Sequence, residues 1–244
     1  MELTLDPSTQ QRVDKWLSGN YDAATKESIQ HLIDSGNTTE LTDSFYRDLE
    51  FGTGGLRGVL GVGSNRMNRY TVGAATQGLS NYINAAFPGE DVSVAIAHDS
   101  RRMSPEFAQL AADIFSANGI KVYLFSSLRP TPELSFAIRQ LGCQSGLVIT
   151  ASHNPPEYNG YKVYWNDGGQ VVSPHDKGII AEVNKVTSVD DIKFLGIPER
   201  ITMIDEIIDA PYVERVKSNA VNPDVIKRQA NLTIVYTPIH GTGI

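Results

Sequence analysis

Ser152 and His153 lie in the segment TASHNPP, residues 150–156, directly after the apolar run GLVIT. A serine hydroxyl held in one orientation is a potential nucleophile or phosphate acceptor, and a neighbouring histidine can supply or share protons. The two prolines push the residues before them towards extended conformations, which predicts a stiff loop. The alternative is a serine that makes a local turn hydrogen bond beside a surface histidine.

A second segment, GTGGLRG at residues 52–58, has the composition of an anion-binding loop. Glycines such as Gly54 and Gly55 allow the backbone to approach a ligand closely, and the consecutive amides around Thr53 can form an anion-binding concavity. Arg57 adds a planar guanidinium that suits phosphate. The segment matches neither the Walker A nor the Rossmann pattern. The alternative is a flexible connection with a solvated arginine.

Two further segments carry charged residues that we expect to lie near Ser152. Lys162 follows Ser152 on a predicted strand among aromatic and apolar neighbours, and partial desolvation there would lower its pKa and suit proton transfer. The alternative is a lysine on a solvated strand face. Asp99 and Arg101 follow the run VSVAIA, where they are expected either to organise the neighbouring loops or to cap the next helix.

The elements that must position these residues alternate along the chain. Helical spacing and capping residues predict helices over 6–19, 22–36, 40–49, 74–87, 104–118, 132–141, 174–186 and 204–219. Apolar runs predict strands over 92–97, 120–125, 146–150, 161–165 and 232–236, with Gln170–Val172 as the return strand of a hairpin.

Continuous apolar strands separated by helices predict an α/β protein, because such strands need cover on both faces. We expect a three-layer α/β/α sandwich with a mostly parallel mixed sheet, preceded by N-terminal helices. We place this domain at residues 1–200. The start of a second, similar domain is expected at 201–244, truncated after its first strand, because a lone parallel strand cannot bury both of its faces.

Composition excludes several classes of protein. The 244 residues carry 21 Lys and Arg against 28 Asp and Glu, a formal charge of −7, which argues against nucleic-acid binding. No apolar run approaches the roughly 18 residues of a membrane helix, so no membrane partner is expected. Cys143 is the only cysteine, which excludes an intrachain disulfide. With no signal-like N-terminus, the sequence predicts a cytoplasmic protein.

The order of four motifs carries a family resemblance. FGTGGLRG at 51–58, AHDSR at 97–101, TASHNPPEYNGYK at 150–162 and YTPIHGTG at 236–243 together resemble the α-D-phosphohexomutase superfamily. This superfamily contains the phosphoglucomutases and phosphomannomutases, and the long helical N-terminus looks most like its phosphopentomutase-like branch. The resemblance covers residues 49–244 and implies the N-terminal part of a four-domain protein.

The resemblance also implies residue roles. Ser152 matches the serine that carries a phosphoryl group, which passes to a sugar phosphate through a bisphosphorylated intermediate. Lys162 matches a lysine that transfers protons, His153 a histidine that supports the site, and Arg57, in the loop with Thr53, Gly54 and Gly55, an arginine that binds phosphate. The implied small-molecule partner is a hexose or pentose phosphate. The implied cofactors are Mg²⁺, which touches the phosphate on Ser152, and an activator of the glucose-1,6-bisphosphate type.

Departures from the family pattern limit these expectations. The Asp-Gly-Asp-x-Asp motif that would supply the other Mg²⁺ ligands does not occur in the 244 residues, and neither do the family's sugar-recognition and distal phosphate-binding motifs. We therefore expect the chain alone to be essentially inactive as a mutase. Two alternatives remain: a non-catalytic phosphosugar-binding module with an unmodified serine, and a serine hydrolase that uses Ser152 with His153. The hydrolase lacks a G-x-S-x-G elbow.

Overall fold

The strands form one six-stranded sheet in the computed structural model, which describes residues 5–237. They are β1 (Gly55–Val59), β2 (Ser93–His98), β3 (Lys121–Leu124), β4 (Ser145–Ile149), β5 (Tyr158–Trp165) and β6 (Ile201–Met203). Their spatial order is β1-β5-β4-β2-β3-β6. β4, β2, β3 and β6 are parallel, whereas β5 is antiparallel to both of its neighbours. The sheet is therefore mixed and mostly parallel, as predicted.

Helices cover both faces of this sheet. They are α1 (Pro7–Ser18), α2 (Ala23–Asp34), α3 (Thr38–Phe45), α4 (Arg69–Ala86), α5 (Ser104–Ala117), α6 (Thr131–Leu141), α7 (His175–Val183), α8 (Asp205–Lys217) and α9 (Pro223–Arg228), with 3₁₀ turns at Val189–Asp191 and Pro198–Arg200. α4, α5 and α7 pack in one hydrophobic cluster with one face of the sheet. α6 and α8 pack in a second cluster on the other face. The α/β/α sandwich is thus confirmed.

The N-terminal helices form a cluster of their own beside α4. Val13, Trp16, Ile29 and Phe45 are buried together, and Tyr70 of α4 closes the cluster. Local sequence explains these helices. Asp6 and Asp22 accept hydrogen bonds from the first free amides of α1 and α2, as capping carboxylates do.

Two helix boundaries differ from the predicted ones by four or five residues, and the others by at most three. α4 begins at Arg69, five residues before the predicted start, because Asn68 and Thr71 form a capping box there. α3 ends at Phe45 instead of Leu49. The chain leaves the helix because the amide of Leu49 donates to the carbonyl of Ser64, a partner outside any helix.

The structure also differs from the predicted strands in three places. The second half of the glycine-rich segment is strand β1, since its backbone pairs with β5. The predicted return strand Gln170–Val172 is reduced to a single bridge between Tyr164 and Gln170, followed by Pro174, which has no amide to donate. Residues 232–236 are exposed and belong to no strand of the described chain, because no neighbouring strand pairs with them there.

The expected domain division at residue 200 falls just before β6. This strand pairs with β3, and Ile204 and Ile208 are buried in the cluster under α6, so the sheet and its core continue past that position. The motif YTPIHGTG lies outside the described residues from Pro238 onwards. Over residues 5–237, no helix combines the length and the apolar character that crossing a bilayer requires.

Candidate functional site

The candidate residues converge on one edge of the sheet. β4 and β2 are parallel neighbours, so Ile149 and His98 end at the same edge, which is where open α/β sheets bind ligands. The TASHNPP loop leaves β4 there, and Asp99 and Arg101 leave β2 beside it. β5 begins at this edge because the loop turns the chain back into an antiparallel strand.

Ser152 stands exposed on this loop in a constrained conformation. Its φ is +55°, in the left-handed region that residues other than glycine rarely adopt. The amide of Ser152 donates to Thr150 Oγ1 at 3.0 Å, and the amide of Asn154 donates to the carbonyl of Ala151 at 3.1 Å. The loop is therefore held by its own hydrogen bonds, as its prolines predict.

Lys162 Nζ donates a hydrogen bond to Ser152 Oγ at 2.7 Å. The register of β4 and β5 places Lys162 opposite Val148, one residue from the end of β4, and so within reach of the loop. Partial burial and the positive charge of Arg57 lower the pKa of Lys162 from its usual value, and Asp99 partly opposes this. A lysine with a lowered pKa is suited to exchanging a proton with the serine.

Arg57 lies on β1, so the predicted loop arginine is a strand residue. Lys162 pairs with Gly55 and Arg57 pairs with Gly160, which puts the two cations on the same sheet face, diagonally across the strand pair. Arg57 is exposed, and its Nη1 donates to Asn154 Oδ1 at 3.2 Å. The arginine is thereby directed towards the Ser152 loop.

The glycines before β1 form a tight turn at the edge of a cleft. The amides of Gly52 and Gly55 donate to each other's carbonyls at 2.9 and 3.1 Å, so these two amides are occupied within the turn. Gly55 has φ +143°, and a Cβ there would lie 1.7 Å from the carbonyl oxygen of Tyr161. Only glycine fits this approach.

The cleft itself has a volume of about 520 Å³ and contains both candidate cations and the glycine turn. Its lining includes Thr53, Gly54, Gly55, Arg57, Thr150 and Lys162. Gln170 Nε2 donates to the carbonyl of Gly54 at 3.4 Å across the cleft wall. A backbone turn bounds the cleft on one side, and its charged lining residues are Arg47, Glu50, Arg57 and Lys162, which gives it an excess of positive charge.

His153 is exposed beside Ser152, and the hydrogen bond to the serine hydroxyl comes from Lys162. The geometry therefore favours Lys162 over His153 as the proton carrier. Asp99 organises the neighbouring loop and does not cap α5, whose N-cap residue Met103 makes no side-chain hydrogen bond to the helix. Asp99 Oδ1 accepts from the hydroxyl of Ser104, the first residue of α5, and from the amide of Arg101.

Sequence reasoning missed the contributions of Thr150 and Asn154. Thr150 holds the amide of Ser152, and Asn154 accepts from Arg57. Both residues stand in the TASHNP motif, whose short polar side chains were the available signal. Which partner each would take depends on the strand register, which the sequence does not specify.

The site does not contain a carboxylate cage for a cation. Within residues 5–237 no group of three or more His, Cys, Asp or Glu side chains is placed to hold a metal ion. The charged side chains that contact the Ser152 loop are the cations Lys162, Arg57 and Arg101, and the carboxylate of Asp99 is already paired with its neighbours. These residues on their own do not fit a Mg²⁺ site.

Known proteins are similar to this chain in sequence and in fold. The family described as phosphoglucomutase/phosphomannomutase, alpha/beta/alpha domain I, matches residues 48–190. The protein named "Probable phosphoribomutase" from Schizosaccharomyces pombe is 37% identical over 98% of this chain and 42% of its own length. Human phosphopentomutase is 35% identical over 98% of this chain and 40% of its own length.

A solved structure agrees at the level of the fold. The crystal structure of a phosphoglucomutase/phosphomannomutase family protein from Burkholderia thailandensis is 24% identical, with a TM-score of 0.53, and the match covers 69% of this chain and 35% of that one. The chain spans about two fifths of the length of the curated relatives it matches.

Proposed function

Because the chain belongs to the phosphoglucomutase/phosphomannomutase family, we propose that it carries the phosphoryl-accepting serine of a phosphosugar mutase. The observation that carries this proposal is the hydrogen bond from Lys162 Nζ to Ser152 Oγ, at the edge of a cleft that also contains Arg57. Phosphoryl transfer depends mainly on positioning and on charge stabilisation, and a serine flanked by two cations supplies both.

In the proposed uptake step, Ser152 Oγ attacks a phosphorus atom of a sugar bisphosphate. The bond between that phosphorus and the sugar oxygen breaks, the proton of the serine hydroxyl passes to neutral Lys162, and the departing sugar oxygen takes up a proton from solvent. In the reverse sense, a sugar hydroxyl gives its proton to solvent as it attacks the phosphoserine, and Oγ leaves with a proton from Lys162. Arg57 binds the phosphoryl oxygens, for which a guanidinium has matching geometry. We assign His153 a supporting role beside the phosphoryl group.

The two steps together move a phosphoryl group between two positions of one sugar. Phosphoserine and a sugar 1-phosphate give serine and a bisphosphate, which reorients and returns its other phosphoryl group to Ser152. We propose a hexose or pentose phosphate as the substrate, since the two relatives are named for ribose and pentose and the family for hexoses. Glucose 1,6-bisphosphate is the proposed type of activator. We propose Mg²⁺ as cofactor, with the phosphate on Ser152 as its ligand from this chain.

Phosphoryl uptake tests the proposal directly. The chain is incubated with glucose 1,6-bisphosphate, and separately with ribose 1,5-bisphosphate, and its intact mass is measured. We expect a gain of one phosphoryl group, located to Ser152 by fragmentation and lost in Ser152→Ala. Ser126→Ala is the matched control, since Ser126 is also an exposed serine that follows a parallel strand. A chain that binds either compound without a mass gain would instead be a phosphosugar-binding module.

The complete mutase reaction is a separate expectation. The glycine turn, Arg57 and Lys162 clamp one side of a substrate, and the chain spans about two fifths of its relatives. We therefore expect the chain alone to convert glucose 1-phosphate to glucose 6-phosphate at a rate close to background. Conversion that is well above background and abolished in Ser152→Ala would contradict this expectation.

A further inference from the structure

The side chain of Arg101 is bonded to four carbonyl groups of the loop that carries Ser152. Its Nη2 donates to the carbonyls of Ser152 at 2.8 Å and Asn154 at 2.6 Å. Its Nη1 donates to those of Pro155 at 3.0 Å and Tyr158 at 3.1 Å. One guanidinium thus spans the loop from the serine to the first residue of β5.

This guanidinium is not available to a phosphate. Each terminal nitrogen carries two hydrogens, and all four are used by the loop carbonyls. The Arg101 side chain is 9% exposed, and its Nε lies 3.6 Å from Oδ2 of the Asp99 carboxylate, which is itself 8% exposed. The charge of Arg101 is therefore balanced by Asp99 inside the protein, and the terminal nitrogens of its guanidinium are bonded to backbone carbonyls.

Ser152 needs such support because its left-handed φ is unfavourable for a residue with a side chain. Both of its backbone polar groups are held. Thr150 Oγ1 accepts from its amide, and Arg101 donates to its carbonyl. Fixing both ends of the residue fixes the direction of the Cα–Cβ bond, and the hydrogen bond from Lys162 then holds Oγ.

We propose that Arg101 is a positioning residue, which keeps Ser152 in its left-handed conformation so that Oγ faces Lys162. The inference rests on the proposed phosphoryl transfer for its effect on rate, although the conformation itself can be measured without it. A misplacement of about 1 Å in a reacting group can reduce a rate about a hundredfold. The contact between Oγ and Lys162 Nζ is 2.7 Å, which leaves little tolerance for such a shift.

The kinetic test compares Arg101→Lys with Arg102→Lys. Lysine keeps the charge but has three donors at one point and cannot span four carbonyls. Arg102 is the adjacent arginine, and its side chain is exposed. In Arg101→Lys we expect the rate of phosphoryl uptake at saturating glucose 1,6-bisphosphate to fall at least about tenfold. The half-saturating concentration should change less than about threefold, and Arg102→Lys should match the parent chain.

The conformational test uses nuclear magnetic resonance. The Cα and Cβ shifts and the amide–Hα coupling of Ser152 report its φ directly. They should move towards ordinary values in Arg101→Lys and stay unchanged in Arg102→Lys. If the parent chain takes up no phosphoryl group but these signals move, the proposed function fails and the positioning role stands. If uptake and signals both equal those of the parent, the positioning role is wrong.

Thr150→Val gives an independent variant if circular dichroism shows that Arg101→Lys is unfolded. It keeps the β-branched side chain and removes the hydroxyl that accepts from the Ser152 amide. The same shift of the Ser152 signals, with a smaller loss of uptake rate, would support the inference. Unchanged signals and an unchanged rate in Thr150→Val would overturn it.

Discussion

Glu133 gives the sharpest prediction for stability, because it is a buried acid beside another acid. It is the third residue of α6 and only 5% exposed. Its neighbour Asp209, on α8, accepts hydrogen bonds from Arg129 Nε and Nη2, both at 2.7 Å. Burial, a hydrogen bond with Asp209 and the negative charge of Asp209 raise the pKa of Glu133 from 4.5 to about 7, and Arg129 partly opposes this.

The sign of the effect follows from proton binding. Between pH 4.5 and about 7 the folded protein keeps a proton on Glu133 that the unfolded chain has lost, so stability decreases as the pH rises through this window. A tenfold change in proton affinity corresponds to about 1.4 kcal/mol. The free energy of unfolding therefore falls by about 3 kcal/mol as the pH rises from 4.5 to about 7. Glu133→Gln carries a permanently neutral group of the same size and should abolish this loss.

Urea unfolding of both proteins between pH 5 and pH 8 measures the effect. We expect the two free energies of unfolding to be similar at pH 5 and to diverge as the pH rises, with Glu133→Gln more stable by about 3 kcal/mol at pH 8. Glu106→Gln is the matched control, because Glu106 is the third residue of α5 and is exposed. Curves for Glu133→Gln and the parent that stay parallel over this range would refute the reasoning.

Three further predictions concern the site. Lys162→Gln should reduce phosphoryl uptake by Ser152 about 10²- to 10⁴-fold, the usual contribution of a general base, in rapid-quench assays in which Lys193→Gln behaves as the parent. Gly55→Ala should destabilise the chain by at least about 3 kcal/mol in urea unfolding, because its Cβ would meet the carbonyl of Tyr161. Arg57→Ala should weaken binding of glucose 1,6-bisphosphate by at least about tenfold in calorimetry, an effect of about 1.5–3 kcal/mol for a bond to a charged group.

The central strands and several helices could be predicted because their signals are local. The run VSVAIA gives β2 within one residue, and Ser104 followed by proline gives the start of α5. Strand β1 could not be predicted in this way. Its glycines indicate a turn, and it becomes a strand only because β5, distant in sequence, offers its backbone as a partner.

The candidate site shows the same division. Motif order placed Ser152, Lys162 and Arg57 near one another, and the structure puts the lysine in contact with the serine. The hydrogen bonds from Arg101 to the Ser152 loop could not be predicted from its position after β2 in the sequence. Its four carbonyl partners exist only because the prolines and the left-handed serine turn the loop backbone towards it.

Arg57, Arg101 and Lys162 lie at the same edge of the sheet but have different electrostatic surroundings. Arg101 is balanced by Asp99 and by backbone carbonyls, which leaves Arg57 and Lys162 to face the cleft of a chain whose net charge is −7. Partial burial and the repulsion by Arg57 lower the pKa of Lys162 while Ser152 is unmodified, which shifts the lysine towards the neutral form that can accept the serine's proton.

A phosphoryl group on Ser152 would reverse this preference. It brings a charge of about −1.5 to −2 at neutral pH next to Lys162 and so favours the protonated amine, which is the state that can donate to the departing Oγ. One lysine can therefore act as the base in uptake and as the acid in donation, because the transferred group itself sets the protonation state. The serine oxygen therefore needs no second titrating side chain, which agrees with His153 lying exposed while Lys162 holds the hydroxyl.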